Sequence, residues 1–248
     1  MAKRLRLDKL MVDRGLAASR QRAQEMIAAG VVKVDGLVAT KPSTQVGTDR
    51  PVTVQVPDHP WVSRGALKLL GALASFPTVN CEGAICADLG SSTGGFTEVL
   101  LKRGAERVYA VDVGTKLLHY RLREHPQIVM MEGTNARNLA SLPEPIDLIV
   151  GDLSFISFTL IVPTVVRLLR PGGEAVVLVK PQFEAGREHV ARGGVVRDGE
   201  ARTKAIERVR IAAIEAGLVV LGGADSTVAG AKKGNIEHFL HLRRSKDT

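Results

Sequence analysis

Two apolar runs in this chain each close on a charged side chain. Residues 146–150 lead into Gly151-Asp152, and residues 175–179 lead into Lys180. Near-continuous apolar runs of this length read as parallel strands buried on both faces. Ligands of open α/β sheets bind beyond the carboxyl ends of such strands. Asp152 and Lys180 are therefore expected to end neighbouring strands and converge. Two more polar residues stand out by position: Lys68, in a helical stretch over residues 64–74, and Glu237, in a late strand over residues 236–242. That strand alternates apolar and polar, as an antiparallel edge strand does. A lysine set among carboxylates can take a proton when neutral, or stabilise a developing alkoxide when charged. Taken singly, each of the four is more often a solvated or paired surface charge.

A second constellation lies between Lys68 and Asp152. Ile85-Cys86-Ala87-Asp88-Leu89 is a short apolar run closed by Gly90-Ser91-Ser92-Thr93-Gly94-Gly95, and a helix follows with Phe96, Val99, Leu100 and Leu101 as its apolar positions. Strand, glycine-rich loop and helix together bring the backbone close to a ligand. The next strand ends at Asp112, 22 residues after Gly90, where a carboxylate can accept both hydroxyls of a ribose. A nicotinamide-binding fold uses the same geometry, but the glycines here do not follow its pattern. S-adenosylmethionine has no pyrophosphate to cradle, and its sulfonium and amino-acid tail suit an acid such as Asp88 beside the loop. The expected cofactor contacts are thus Asp88, the six loop residues, Phe96, Asp112 and Asp152, with Asn135 facing the adenine. No metal is expected.

These sites need a parallel sheet with helices on both faces. Strand-like runs at residues 85–89, 108–112, 128–131, 146–150, 175–179, 218–221 and 236–242 supply it. A helix over residues 159–169 is expected to stop at Arg170-Pro171-Gly172-Gly173. Residues 184–202 carry four arginines and four glycines and read as a loop that orders on RNA, and residues 231–235 as a phosphate-binding turn. The fold class is α/β, a seven-stranded Rossmann-like sheet over residues 61–248.

Residues 1–60 read as a separate α+β domain with a linker at Pro57-Asp58-His59-Pro60. The chain carries a net charge of +8, and +5 of it falls in the first 33 residues. A helix from Leu5 to near Gly15, a second beginning at Ser19, strands at residues 31–34 and 52–56 and a hairpin turn at Asp35-Gly36 are expected. Arg4, Arg6, Lys9, Ser19, Arg20, Arg22 and Lys33 are the candidate RNA contacts, because a helix N-terminus with added arginines suits phosphate.

The run Arg6-Leu7-Asp8-Lys9-Leu10, then Ser19-Arg20-Gln21-Arg22-Ala23, Ile27, Gly30, Val34 and Gly36, resembles the αL RNA-binding domain. Lysine, aspartate, lysine and glutamate in the order Lys68, Asp152, Lys180, Glu237 resemble the catalytic set of the FtsJ-like ribose 2′-O-methyltransferases. With the run Lys180-Pro181-Gln182-Phe183-Glu184-Ala185-Gly186, the chain is similar to the TlyA family over nearly its full length. The resemblance implies S-adenosylmethionine as cofactor, ribosomal RNA or ribosomal subunits as partner, and methylation of a cytidine 2′-hydroxyl. A ribose hydroxyl is a poor nucleophile, so it must be aligned with the methyl group and relieved of its proton. Asp152 is then expected to orient Lys180, with Lys68 and Glu237 completing the network.

Three other readings have distinct signatures. A membrane-active haemolysin, the family's older label, needs a long apolar or amphipathic insertion segment and a secretion signal. Neither is visible, and a cytoplasmic location is expected. An assembly factor with a dead catalytic domain would lack the loop or the four polar residues. A base methyltransferase commonly has an Asn/Asp-Pro-Pro-aromatic motif where this chain reads Asp152-Leu153-Ser154-Phe155. The two cysteines, Cys81 and Cys86, fit no metal or redox spacing.

Overall fold

In the computed structural model, residues 4–17, 19–28, 30–54, 59–228 and 235–246 are described; of Arg22, Glu25 and Arg187 only the backbone is described. The chain divides into two compact units, Met1–Pro60 and Trp61–Thr248.

The first unit opens with strand β1 (Arg4–Arg6), which pairs antiparallel with β4 (Gln45–Gly47). The helix expected from Leu5 therefore begins later, as α1 (Leu7–Asp13). Leu5 faces Val46 across the ladder, so a cross-strand partner outcompetes helix propensity there. The second helix, α2 (Arg20–Ala28), is followed by β2 (Val32–Val34), β3 (Leu37–Val38) and, after β4, β5 (Val52–Val54). Strands β3, β2 and β5 form an antiparallel sheet, turned at Asp35-Gly36, both at positive φ. Residues 55–56 of the expected last strand lie outside the described residues. Leu7, Leu10, Met11, Ala23, Ile27 and Val32 make the core.

The second unit is built on α3 (Gly65–Ser75), β6 (Ile85–Leu89), α4 (Gly95–Lys102), β7 (Arg107–Val111), α5 (Tyr120–Arg123), β8 (Ile128–Met131), β9 (Ile146–Gly151), α6 (Val162–Leu168), β10 (Leu169–Val179), α7 (Pro181–Glu184), α8 (Gly199–Glu215), β11 (Leu218–Asp225) and β12 (His238–Arg244). The sheet order is β11-β12-β10-β9-β6-β7-β8. Only the pairings with β12 are antiparallel. The connections run outward in opposite directions from β6 and β9, which opens a crevice at their carboxyl ends. Helices α3 and α4 cover one face through Leu69, Val99 and Leu100 against Val108, Val150 and Val176. Helices α6 and α8 cover the other through Val165, Val209 and Ala213 against Ile149 and Val177.

Three expectations are corrected here and one holds. Strand β12 is internal, between β10 and β11; its polar position His241 is buried and meets Glu174 at 2.9 Å. Glu237 lies one residue before β12 and not within it. The expected helix does stop at Arg170-Pro171-Gly172-Gly173, since α6 ends at Leu168; the run itself forms an irregular stretch of β10, where the register with β9 shifts between Leu169 and Glu174. The supposed loop at residues 184–202 runs into α8, which begins at Gly199 and is capped by Asp198. The buried face of α8 is Ala201, Ala205, Val209 and Ala213, small residues whose periodicity is weak beside its many charges.

Candidate active site

The crevice at the carboxyl ends of β6, β9 and β10 holds a cavity of about 340 Å³, lined by Lys68, Asp152, Lys180, the loop residues Gly90, Ser91, Ser92, Thr93 and Gly95, and Phe96. Lys68 reaches it from α3. Val177 of β10 faces Gly151 of β9, so Asp152 and Lys180 leave neighbouring strands within two residues of the same level.

The four polar residues form one chain of contacts. Lys180 Nζ lies 2.6 Å from Asp152 Oδ1 and donates to Ser154 Oγ at 2.7 Å. Lys68 Nζ lies 3.6 Å from Asp152 Oδ2 and donates to Glu237 Oε2 at 2.6 Å. Lys68, Lys180 and Glu237 are all buried. Two ammonium groups alternate with two carboxylates, so each buried charge faces an opposite one, the condition under which such groups are tolerated.

The loop is shaped for a ligand to approach its backbone. Gly90 and Gly94 sit at φ +88° and +93°. A Cβ at Gly90 would stand 3.1 Å from the Asp152 carbonyl oxygen, and one at Gly95 would stand 2.8 Å from Ala66 N. Asp112 anchors the loop: its Oδ2 accepts from Ser92 N at 2.8 Å and its Oδ1 from Gly114 N at 2.7 Å. It lines a second, nearly closed recess beside the cavity with Leu117 and Met130.

Asp88 lies fully buried under the loop and is not among the residues lining the cavity. Its Oδ2 accepts from Thr97 Oγ1 at 2.6 Å, while its Oδ1 is buried with no partner among the described residues. Burial, opposed by the Thr97 hydrogen bond, pushes its carboxyl up to about 7. Asn135 is likewise not brought to the cavity or the recess: its Oδ1 accepts from Arg137 N at 3.0 Å and caps its own short turn. Of the turn expected at residues 231–235, only Asn235 is described. It is buried, and both ends of its amide are bonded to backbone; residues 231–234 lie outside the described residues.

Sequence reasoning missed several neighbours of the cavity, among them Ser63, Arg64, Gly65, Ser154 and Val228. Phe155 was also missed. It is 91% exposed at φ +65°, with its ring 5.4 Å from that of Phe183. A bulky residue in the left-handed region is uncommon and marks local strain. Only its place directly after Ser154 signals it in sequence.

In the first unit, Arg6 and Arg20 converge on the buried carboxylate of Asp8. Arg6 donates from Nε and Nη2 at 3.1 and 2.9 Å, Arg20 at 3.2 Å and Gln24 at 2.8 Å. Arg4, Lys9 and Ser19 are exposed, and Lys33 sits in the separate three-stranded sheet.

The model of the FtsJ-like methyltransferases matches residues 61–244, and that of the S4 domain matches residues 5–51. Over the whole chain and 92% of the relative, 47% of residues are identical to the 16S/23S rRNA (cytidine-2′-O)-methyltransferase TlyA of Mycobacterium tuberculosis. The chain belongs to the TlyA family of FtsJ-like methyltransferases. A solved hemolysin-named chain from Streptococcus thermophilus shares 38% identity with TM-score 0.74, covering 99% of this chain and 90% of that one. An N-methyltransferase NodS from Bradyrhizobium japonicum, solved with S-adenosyl-L-homocysteine, shares 19% identity at TM-score 0.52, over 76% of this chain and 89% of that one. That last likeness shows the fold alone. Among the described residues, no helix is long and apolar enough to cross a membrane, and no cluster of three or more metal-ligating side chains occurs.

Proposed function

We propose that this chain methylates the 2′-hydroxyl of a cytidine in ribosomal RNA, using S-adenosylmethionine. The observation that carries the reading is the run of contacts Glu237–Lys68–Asp152–Lys180 ending at a cavity under a glycine loop. The residues fit the cofactor in two ways. The loop from Gly90 to Thr93 lines the cavity, and the buried Asp88 Oδ1 beneath that loop, without a partner among the described residues, is an acceptor suited to a cation-bearing ligand. When bound, the cofactor supplies an electrophilic methyl group on a sulfonium.

The chain's own residues do the rest. Ser91, Ser92 and Thr93 with Gly90 and Gly95 present backbone to the cofactor, and Asp112 holds that loop and offers a carboxylate toward a ribose. Lys180 gives up a proton to solvent, and as the neutral amine its Nζ takes the proton of the RNA 2′-hydroxyl while that oxygen is methylated. Asp152 and Ser154 fix Lys180 Nζ from two sides. Lys68, held by Glu237, fixes Asp152 from its far oxygen. Arg64, exposed at the mouth, meets a phosphate. The first unit supplies further phosphate contacts through Arg6 and Arg20.

Asp88 makes cofactor binding pH-dependent. A cation bound near Asp88 favours its charged form, so below about pH 7 binding must release a proton. Affinity is therefore expected to fall on going from pH 8 to pH 6, approaching a limit of about tenfold per pH unit. Titration calorimetry in buffers of different ionisation enthalpy measures it; an affinity flat across that range, with no proton release, contradicts the assignment.

Phe155 fits a stacking platform for the acceptor base, since unpaired RNA bases are commonly held on aromatic rings. Phe155→Ala is expected to raise KM for the RNA about tenfold, the low end of base–aromatic stacking energies, with cofactor affinity unchanged. Phe155→Tyr should restore KM. An alanine variant with wild-type KM removes this role.

The reading as a whole is tested by transfer of labelled methyl from S-adenosylmethionine to isolated ribosomal subunits. Label in ribosomal RNA supports it, and cofactor binding without transfer to either subunit contradicts it.

A further inference from the structure

Within the stretch 184–202, residues 191–195 form a hairpin, and Arg197 follows two residues after it. Ala191 and Val195 pair as an antiparallel bridge, and Gly193 and Gly194 turn the chain at φ +102° and +78°. Arg192 and Arg197 are exposed, and among the described residues neither guanidinium has a carboxylate partner.

An exposed turn with two glycines is held by little of its own. This one is clamped from below by a buried amide. Asn235 Oδ1 accepts from Val196 N at 3.0 Å, and its Nδ2 donates to Gly194 O at 2.8 Å. Asn235 lies two residues before Glu237. Arg202, near the start of α8, holds the same segment: its Nε donates to Ile236 O at 3.1 Å, and it pairs with Asp225. Asp225 in turn meets His238 Nδ1 at 2.6 Å. The residues around Glu237 are thus tied to the hairpin through the Asn235 side chain and to the helix after it through the Ile236 carbonyl.

We propose that the hairpin is a second RNA-contacting element: Arg192 and Arg197 bind the phosphate backbone beside the acceptor nucleotide, and Asn235 keeps them in register with Glu237. The proposal rests on the RNA-methylating reading above. Phosphate contacts fix register and orientation without reading sequence, the task an acceptor strand needs done next to Lys68 and Lys180. Asn235 is a positioning residue, acting on Glu237 through the backbone.

The test uses the full chain, ribosomal subunits and a fluorescent ribosomal RNA fragment. Arg192→Glu/Arg197→Glu is expected to raise KM for subunits, and Kd for the fragment, by at least about tenfold, with kcat and S-adenosylmethionine affinity unchanged. The slope of log affinity against log salt should fall by about 1.4 to 1.8, for two lost phosphate contacts. Asn235→Ala is expected to lower kcat and raise KM together at unchanged cofactor affinity. Should it melt at lower temperature, the double variant carries the test alone. An unchanged KM, Kd and salt slope in the double variant overturns the proposal. A wild-type chain that binds the fragment but methylates nothing overturns the functional reading instead, and the binding readout still decides the hairpin.

Discussion

Replacing Lys180 with alanine lowers kcat for methyl transfer by about 10³-fold, the middle of the range for loss of a positioned proton acceptor. S-adenosylmethionine affinity stays close to wild type, because the cavity's backbone donors remain. Lys180→Arg is equally inactive on this account. Arginine keeps the positive charge but cannot give up its proton, and its planar fork does not fit the 2.6 and 2.7 Å contacts to Asp152 and Ser154. Single-turnover kinetics with saturating cofactor measure the effect. An arginine variant within tenfold of wild type would shift Lys180 from proton acceptor to electrostatic stabiliser.

Asp8→Asn is expected to weaken RNA binding about tenfold, or about 1.4 kcal/mol, without touching RNA itself. The Asp8 carboxylate is fully buried and aims Arg6 and Arg20, two groups that bind phosphate only if their donors point outward together. Asparagine keeps the shape but loses the charge that holds both guanidinium groups. The same contacts make this unit acid-sensitive. The Arg6 hydrogen bonds, opposed by burial and helped by Gln24 and Arg20, hold the Asp8 carboxyl well below the usual carboxylate range. A carboxyl depressed by folding adds stability that is fully present above its unfolded value of about 4 and is lost as pH falls below it. Wild type should therefore lose stability below about pH 4 more steeply than Asp8→Asn, as followed by circular dichroism of the full chain. Parallel acid profiles for the two would contradict the role given to Asp8.

The parallel strands were readable because each is an apolar run that ends on a chemically distinct residue. Gly90 with Asp112, and Asp152 with Lys180, marked the crevice before any coordinates. What stayed hidden depended on contacts remote in sequence. The strand at Arg4–Arg6 exists only through Gln45–Gly47, and a three-residue ladder has no periodicity to detect. Helix α8 buries alanines, so its inner face does not stand out from its charges. The alternation of β12 suggested an edge, yet His241 is buried against Glu174; a satisfied polar pair and a solvent-facing residue look alike in sequence. Asn135 sits at a plausible place for an adenine contact, but asparagine at the start of a turn bonds its own backbone readily. The left-handed Phe155 and the clamping Asn235 are properties of backbone path, which residue type alone does not encode.

The most direct measurement is nucleoside analysis by mass spectrometry of ribosomal RNA methylated by the wild-type chain. The account predicts 2′-O-methylcytidine, resistant to alkaline cleavage at its 3′ side and absent with Lys180→Ala. Methyl groups found on a base, or on a ribose irrespective of Lys180, would contradict it.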